Sequence, residues 1–170
     1  MKGATVPKVT KEEQRQAKAA LAQLSTFHYP RYDQLPQELL FMDGVVDFVN
    51  RVHADLSARS RHGRVITRSI VGNWVKRGLT PPAIGKRYGR DHLALILFAV
   101  TAKLLASAED VMDLAAALFP EGQVAVGHDR FADAVNAEFS QPTAPSEDDD
   151  LYVLVARAFA AKIRALTLLG

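Results

Sequence analysis

From Asp91 to Phe119 the sequence contains neither glycine nor proline, and alanine and leucine dominate it. Residues of this kind lose little on entering a helix, and no breaker interrupts the run, so the stretch reads as helix. On hydrophobicity alone residues 93–100 also suit a buried strand; the Ala and Leu content and the length decide for helix. Ser107, followed by Glu109 and Asp110, divides the stretch in two, because serine is a preferred N-cap and carboxylates suit a first turn. The fold class is therefore all-α.

The other segments follow the same grammar. Thr10-Lys11-Glu12-Glu13 reads as a capping box that opens a helix to about Leu24, with Ala17, Ala20, Leu21 and Leu24 on one stripe. Pro30 and Pro36 mark a connector carrying Tyr29, Tyr32 and Leu35. A helix over 40–56 follows, with Phe41, Val45, Phe48, Val49 and Val52 on its apolar face. Residues 57–64 form a basic loop. Thr67 is placed to N-cap a short helix over 67–77, and Gly78 to close it in the left-handed region. Residues 79–89 hold Pro81, Pro82, Gly85 and Gly89, so they form a loop or a small hairpin. Helices over 90–106 and 107–119 come next, then a turn region over 120–127 and a helix over 128–139 with Phe131, Ala134, Val135 and Phe139 inward. Residues 141–150 read as an exposed acidic linker. The last helix, 151–169, is apolar around most of its circumference, so it is either the central core helix or a dimer contact. The organisation expected is a tail and helix over 1–34, a central unit over 35–119 and a helical region over 120–170.

Composition removes several function classes. The chain has no cysteine, which excludes disulfides, thiolate metal sites and cysteine nucleophiles. No apolar run approaches the roughly 20 residues of a membrane span and the amino terminus does not read as a signal peptide, so no membrane partner is expected and the location expected is cytoplasmic. His28, His53, His62, His92 and His128 show no metal-ligand spacing, and no nucleotide-binding or nucleophile motif occurs. Asp91-His92 reads as a helix start, and Glu147 to Asp150 as solvated charge. Neither catalysis, a metal nor a cofactor is expected, and no effector chemistry is legible.

Charge supplies the functional signal. The formal net charge is +2, but residues 59–90 carry nine Lys and Arg and no Asp or Glu. That segment is +9 and the remainder is −7. A local cluster of cations on an acidic body fits a polyanion, since phosphates release counterions when Lys and Arg replace them. On a helical wheel of residues 67–77, Ile70, Val71, Trp74 and Val75 take one face. Arg68, Ser69, Gly72, Asn73, Lys76 and Arg77 take the other, with donors suited to phosphates and base edges. Gly72 weakens a helix interior by about 1 kcal/mol relative to Ala, which points to close approach by another surface, either a packed helix or a nucleic-acid backbone.

The run from Ile66 to Lys76, then Pro82, then Lys86-Arg87-Tyr88-Gly89-Arg90-Asp91-His92-Leu93, together with Leu40-Phe41-Met42-Asp43, resembles the bacterial YkrK-like family of unknown function. That family is in turn similar to the MerR-type winged helix-turn-helix, and the resemblance covers about residues 35–119. It implies a recognition helix at 67–77, a wing at 79–89 and a following helix from Arg90. Two features depart from the pattern: Gly89 stands where a serine usually caps, and the loop 57–65 far exceeds a simple three- or four-residue turn.

The expectation is a transcriptional regulator that binds double-stranded DNA as a homodimer. Arg68, Ser69, Asn73 and Lys76 would face bases, while Arg64, Arg77, Lys86, Arg87 and Arg90 would bind phosphates. The competing expectation is a non-enzymatic helical module whose basic segment docks on an acidic protein.

Overall fold

The computed structural model describes residues 10–54, 66–141, 146 and 148–168, apart from the side chains of 13, 17, 18, 20, 21, 23 and 165–168. Among them are seven α-helices and one two-stranded sheet: α1 (Lys11–Leu24), β1 (Leu40–Phe41), α2 (Met42–Val52), α3 (Arg68–Lys76), β2 (Arg87–Tyr88), α4 (Arg90–Lys103), α5 (Ala108–Leu118), α6 (Val124–Ser140) and α7 (Leu151–Leu168), with a 3-10 turn at Tyr32–Gln34. The protein is all-α with a short sheet, as the sequence predicts.

α4 is the axis. Every residue from His92 to Ala102 is buried, as befits a helix that is apolar all round. Full burial of Leu93, Ile96, Leu97 and Phe98 contributes about 1.5–3 kcal/mol each relative to exposure. α5, α6, α7, α2 and β2 all pack on this helix, and α1 packs on α7. The buried apolar residues form one cluster from Leu24 to Ile163. The last helix therefore does not hold the central place. It buries Val155, Ala156, Phe159, Ala160 and Ile163 and leaves Leu151 and Leu154 exposed.

Several boundaries move for identifiable reasons. Leu40 and Phe41 belong to a strand, not to the start of a helix, because they pair antiparallel with Tyr88 and Arg87. Phe41 is consequently 59% exposed and Val45 and Val49 carry the buried face of α2. α6 starts at Val124, so Gly127 lies inside a helix and not in a turn. A Cβ at Gly127 would stand 2.3 Å from the Leu118 carbonyl oxygen, and glycine is what lets α6 approach the end of α5 so closely. α5 opens as predicted, with reciprocal bonds between Ser107 and Asp110: the Asp110 N–H donates to Ser107 Oγ (3.1 Å) and the Ser107 N–H to Asp110 Oδ2 (3.2 Å). The expected N-terminal box lies outside the described side chains at Glu13, as do Ala17, Ala20 and Leu21 of the α1 stripe, while Leu24 is buried.

Charge also staples the bundle. The acidic run before α7 is not merely solvated: Asp149 accepts from Arg157, and Asp150 accepts from Arg130 at 2.7 Å. Arg157 is mostly buried between Asp149 and Glu138, whose Oε1 lies 3.2 Å from Arg157 Nη2. At the surface, Arg31 of the connector bridges Asp129 and Asp133 on α6.

Two buried histidines fix the core's response to pH. His53 donates from Nδ1 to the Val49 carbonyl (3.0 Å) and lies 3.1 Å from Thr101 Oγ1. His128 donates from Nε2 to the Pro30 carbonyl (2.9 Å). Burial holds both below the usual histidine range because it penalises the imidazolium. The unfolded chain then takes up protons first, so stability present at neutral pH is lost as pH falls below about 6.5. Urea midpoints measured between pH 7.5 and 5 should decline through this window, ahead of carboxylate protonation; a flat profile would contradict it.

Candidate nucleic-acid interface

α3 has both predicted ends. The Thr67 hydroxyl accepts from the Ile70 N–H at 3.4 Å. Gly78 takes φ +80; its N–H donates to the Val75 carbonyl at 3.0 Å, and the Leu79 N–H to the Trp74 carbonyl at 3.1 Å. These paired bonds satisfy the orphan carbonyls of the last turn. Val71 and Trp74 are buried, and Ile70 and Val75 half-buried, so the apolar face is the one expected. Asn50 of α2 fixes the entry of α3, donating to the Ile66 carbonyl and accepting from the Ile66 N–H, each at 3.1 Å.

The opposite face of α3 points outward. Ser69, Asn73, Lys76 and Arg77 are all exposed. At about 100° per residue, Ser69, Asn73 and Lys76 fall within a sector of about 60°. Arg77 lies at one edge of this face with its guanidinium 5.9 Å from the Trp74 ring centroid. Arg68 lies at the other edge, where Asp43 in the first turn of α2 accepts from both its Nε and its Nη2. This ion pair was not legible in the sequence, because the two residues stand on separate helices. No carboxylate lies within residues 59–90; the fold brings one to them.

The segment expected to form a wing is built differently from a free-standing hairpin. Ile84 and Arg87 exchange both backbone bonds, at 2.9 and 3.0 Å, around Gly85 and Lys86, which both have positive φ (55° and 63°). Two positive-φ residues in succession make a type I′ turn, the tight connection whose twist suits antiparallel strands. β2 then pairs outward with β1, so the wing is tied to the start of α2. Lys86 is exposed at the turn. Arg87 is exposed and places its guanidinium 4.8 Å from the Phe41 ring centroid. Arg68 and Lys86 line one open hollow of about 730 Å³ with Leu39, Phe41 and Asp43. Arg68 and Lys86 therefore share this part of the surface.

The remaining positions have other surroundings. Arg90 donates to the Leu35 carbonyl at 3.2 Å and the Asp33 carbonyl at 3.4 Å, with its guanidinium 5.8 Å from the Tyr32 ring centroid. It anchors the connector. Tyr32 donates to Asp91 at 2.5 Å, and burial together with that bond pushes its phenol up to about 12. Asp91 thus holds a tyrosine. His92 accepts from the Gly89 N–H at Nδ1 (3.1 Å) and turns Nε2 to the carbonyls of Pro81 and Pro82 (3.1 and 3.2 Å). These bonds tie the base of the wing to α4. Tyr88 is buried edge-on against His92. Arg64 lies outside the described residues. Among the described residues no His, Asp and Glu cluster suits a metal ion, and no helix is long and apolar enough to cross a membrane.

A Cβ at Gly72 would meet nothing within 4 Å. Among the described residues no packed helix explains the glycine, and it sits between Arg68 and Lys76, one turn from each. Gly72→Ala should therefore stabilise the free protein, by up to about 1 kcal/mol, read as a raised unfolding midpoint. A lowered midpoint would show an internal packing demand.

A family model described as "Domain of unknown function (DUF1836)" matches residues 30–124, from the connector to the start of α6. No curated protein and no solved structure matches the chain.

Proposed function

This chain belongs to the DUF1836 family, and we propose that it is a sequence-specific binder of double-stranded DNA that acts in transcription regulation. α3 enters the major groove with Ser69, Asn73 and Lys76, and the turn carrying Lys86 and Arg87 grips flanking phosphates. The observation that carries this reading is the exposed, carboxylate-free polar face of α3, with Arg68 at its edge sharing an open hollow with Lys86 of the wing turn. The order strand, helix, helix, wing strand, helix, with β1 paired to the wing, supports the MerR-like winged arrangement implied by the sequence resemblance.

A helix of this size reads only a few base pairs, so useful affinity calls for two copies on a palindrome. α7 offers the surface for a second copy. Leu151, Leu154, Ala158 and Ala161 are exposed at the three- and four-residue steps of a helix seam. Antiparallel pairing centred on residue 156 sets Leu151 against Ala161 and Leu154 against Ala158, large against small. The same register brings Asp150 near Lys162 of the partner. Leu154→Glu should convert a dimer to a monomer in sedimentation equilibrium; an unchanged mass would remove α7 as the contact.

The exposed Phe41 and Ile84 beside the basic groups (59% and 58% exposed) favour a second reading, docking on an acidic protein surface. Salt dependence separates the two. About six phosphate contacts give a slope of log K against log salt of roughly −5 on arbitrary duplex DNA; absence of binding at low salt would leave only the second reading. Lys76→Glu should abolish duplex binding with the unfolding midpoint unchanged, and a matching loss of stability would mark Lys76 as structural.

A further inference from the structure

We infer that Arg68, held by Asp43, is a reader of a guanine edge, an inference that rests on the DNA-binding reading. A guanidinium presents two forked edges, Nε with Nη2 on its side and Nη1 with Nη2 at its end. Asp43 occupies the side edge with both carboxylate oxygens. The end edge keeps two parallel N–H groups with no partner among the described residues, on a side chain that is 67% exposed. An ion pair this exposed adds little stability. Its effect is geometric: a long side chain with four torsions is aimed in one direction by a carboxylate fixed to another helix.

Two coplanar acceptors match two parallel donors. In the major groove guanine offers O6 and N7 in that arrangement. Arg68 is the first residue of α3, and residues at the N-terminal end of a recognition helix are the ones that reach base edges. A phosphate also offers paired oxygens, and Asp43 decides between the two. Its carboxylate, 63% exposed beside the guanidinium, offsets the positive charge a phosphate would seek and repels the phosphate itself. A base edge carries no formal charge and tolerates that neighbour. Lys86, for which no acidic partner is found among the described residues, suits a phosphate instead.

The test uses the full chain and the duplex it selects from a randomised pool. The selected site should contain a required guanine in each half. Its replacement by 7-deazaguanine, which lacks N7 but still pairs, should weaken wild-type binding roughly five- to a hundredfold. Arg68→Ala should be indifferent to that replacement. Asp43→Ala should lose most of the discrimination while binding arbitrary duplex at least as tightly as wild type, and Arg68→Lys should keep affinity but lose discrimination. If Arg68→Ala loses the same factor on every duplex, or no guanine N7 matters, Arg68 is a phosphate contact and the inference fails while the DNA-binding reading stands. Absence of salt-dependent binding to any duplex overturns both.

Discussion

The burial of α4 on all sides is the constraint from which the rest follows. A helix with no polar stripe between His92 and Ala102 must be covered by every neighbour it can recruit. The chain recruits α2 and β2 from before it and α5, α6 and α7 from after it. Its N-terminus is also where the short sheet and connector are fastened. Gly89 and His92 tie down the wing, and Arg90 and Asp91 hold the connector through Leu35, Asp33 and Tyr32. One part of the candidate interface, the turn before β2, is thus mounted on the buried central helix, while α3 packs on α2. Anchoring of this kind reduces the ordering that binding must otherwise impose.

Electrostatics divides the molecule into two roles. In the bundle, Arg31 and Arg157 each bridge two carboxylates and hold segments of irregular chain onto helices. In the basic segment Arg68, Lys76, Arg77, Lys86 and Arg87 are exposed, and two of them lie against aromatic rings, Arg77 on Trp74 and Arg87 on Phe41. Such stacking restrains a guanidinium without neutralising it. Among the described residues Asp43 is the carboxylate brought against this basic surface, where it pairs with Arg68. An acidic body with a cationic face favours one docking orientation on a polyanion.

Local signals were legible wherever one segment contains both partners. Thr67, Gly78, Gly89 and Ser107 were all recognisable as helix ends because capping involves residues only a few positions apart. The outward face of α3 was legible for the same reason, since periodicity alone sets Ser69, Asn73 and Lys76 apart from Val71 and Trp74. Gly127 was misread as a turn signal because glycine serves equally for a positive φ and for close packing, and only Leu118 tells which applies here. Leu40 and Phe41 were misread as helix because their strand partner lies more than forty positions later, beyond any window of local periodicity.

By itself the sequence determined the all-α class, the register of α3 and the separation of charge into a basic segment and an acidic remainder. These depend on composition and on spacing along one helix. Only the tertiary structure decided which helix is central, since α4 and α7 are both strongly apolar and the choice depends on how many neighbours surround each. The fold alone paired β1 with the wing, engaged Arg90 with the connector and set Asp43 against Arg68. Each is a meeting of groups distant in the chain, and no local preference specifies which of many opposite charges or strand edges will meet. The counting of charges identified a basic surface; the fold determined which of its cations still face outward.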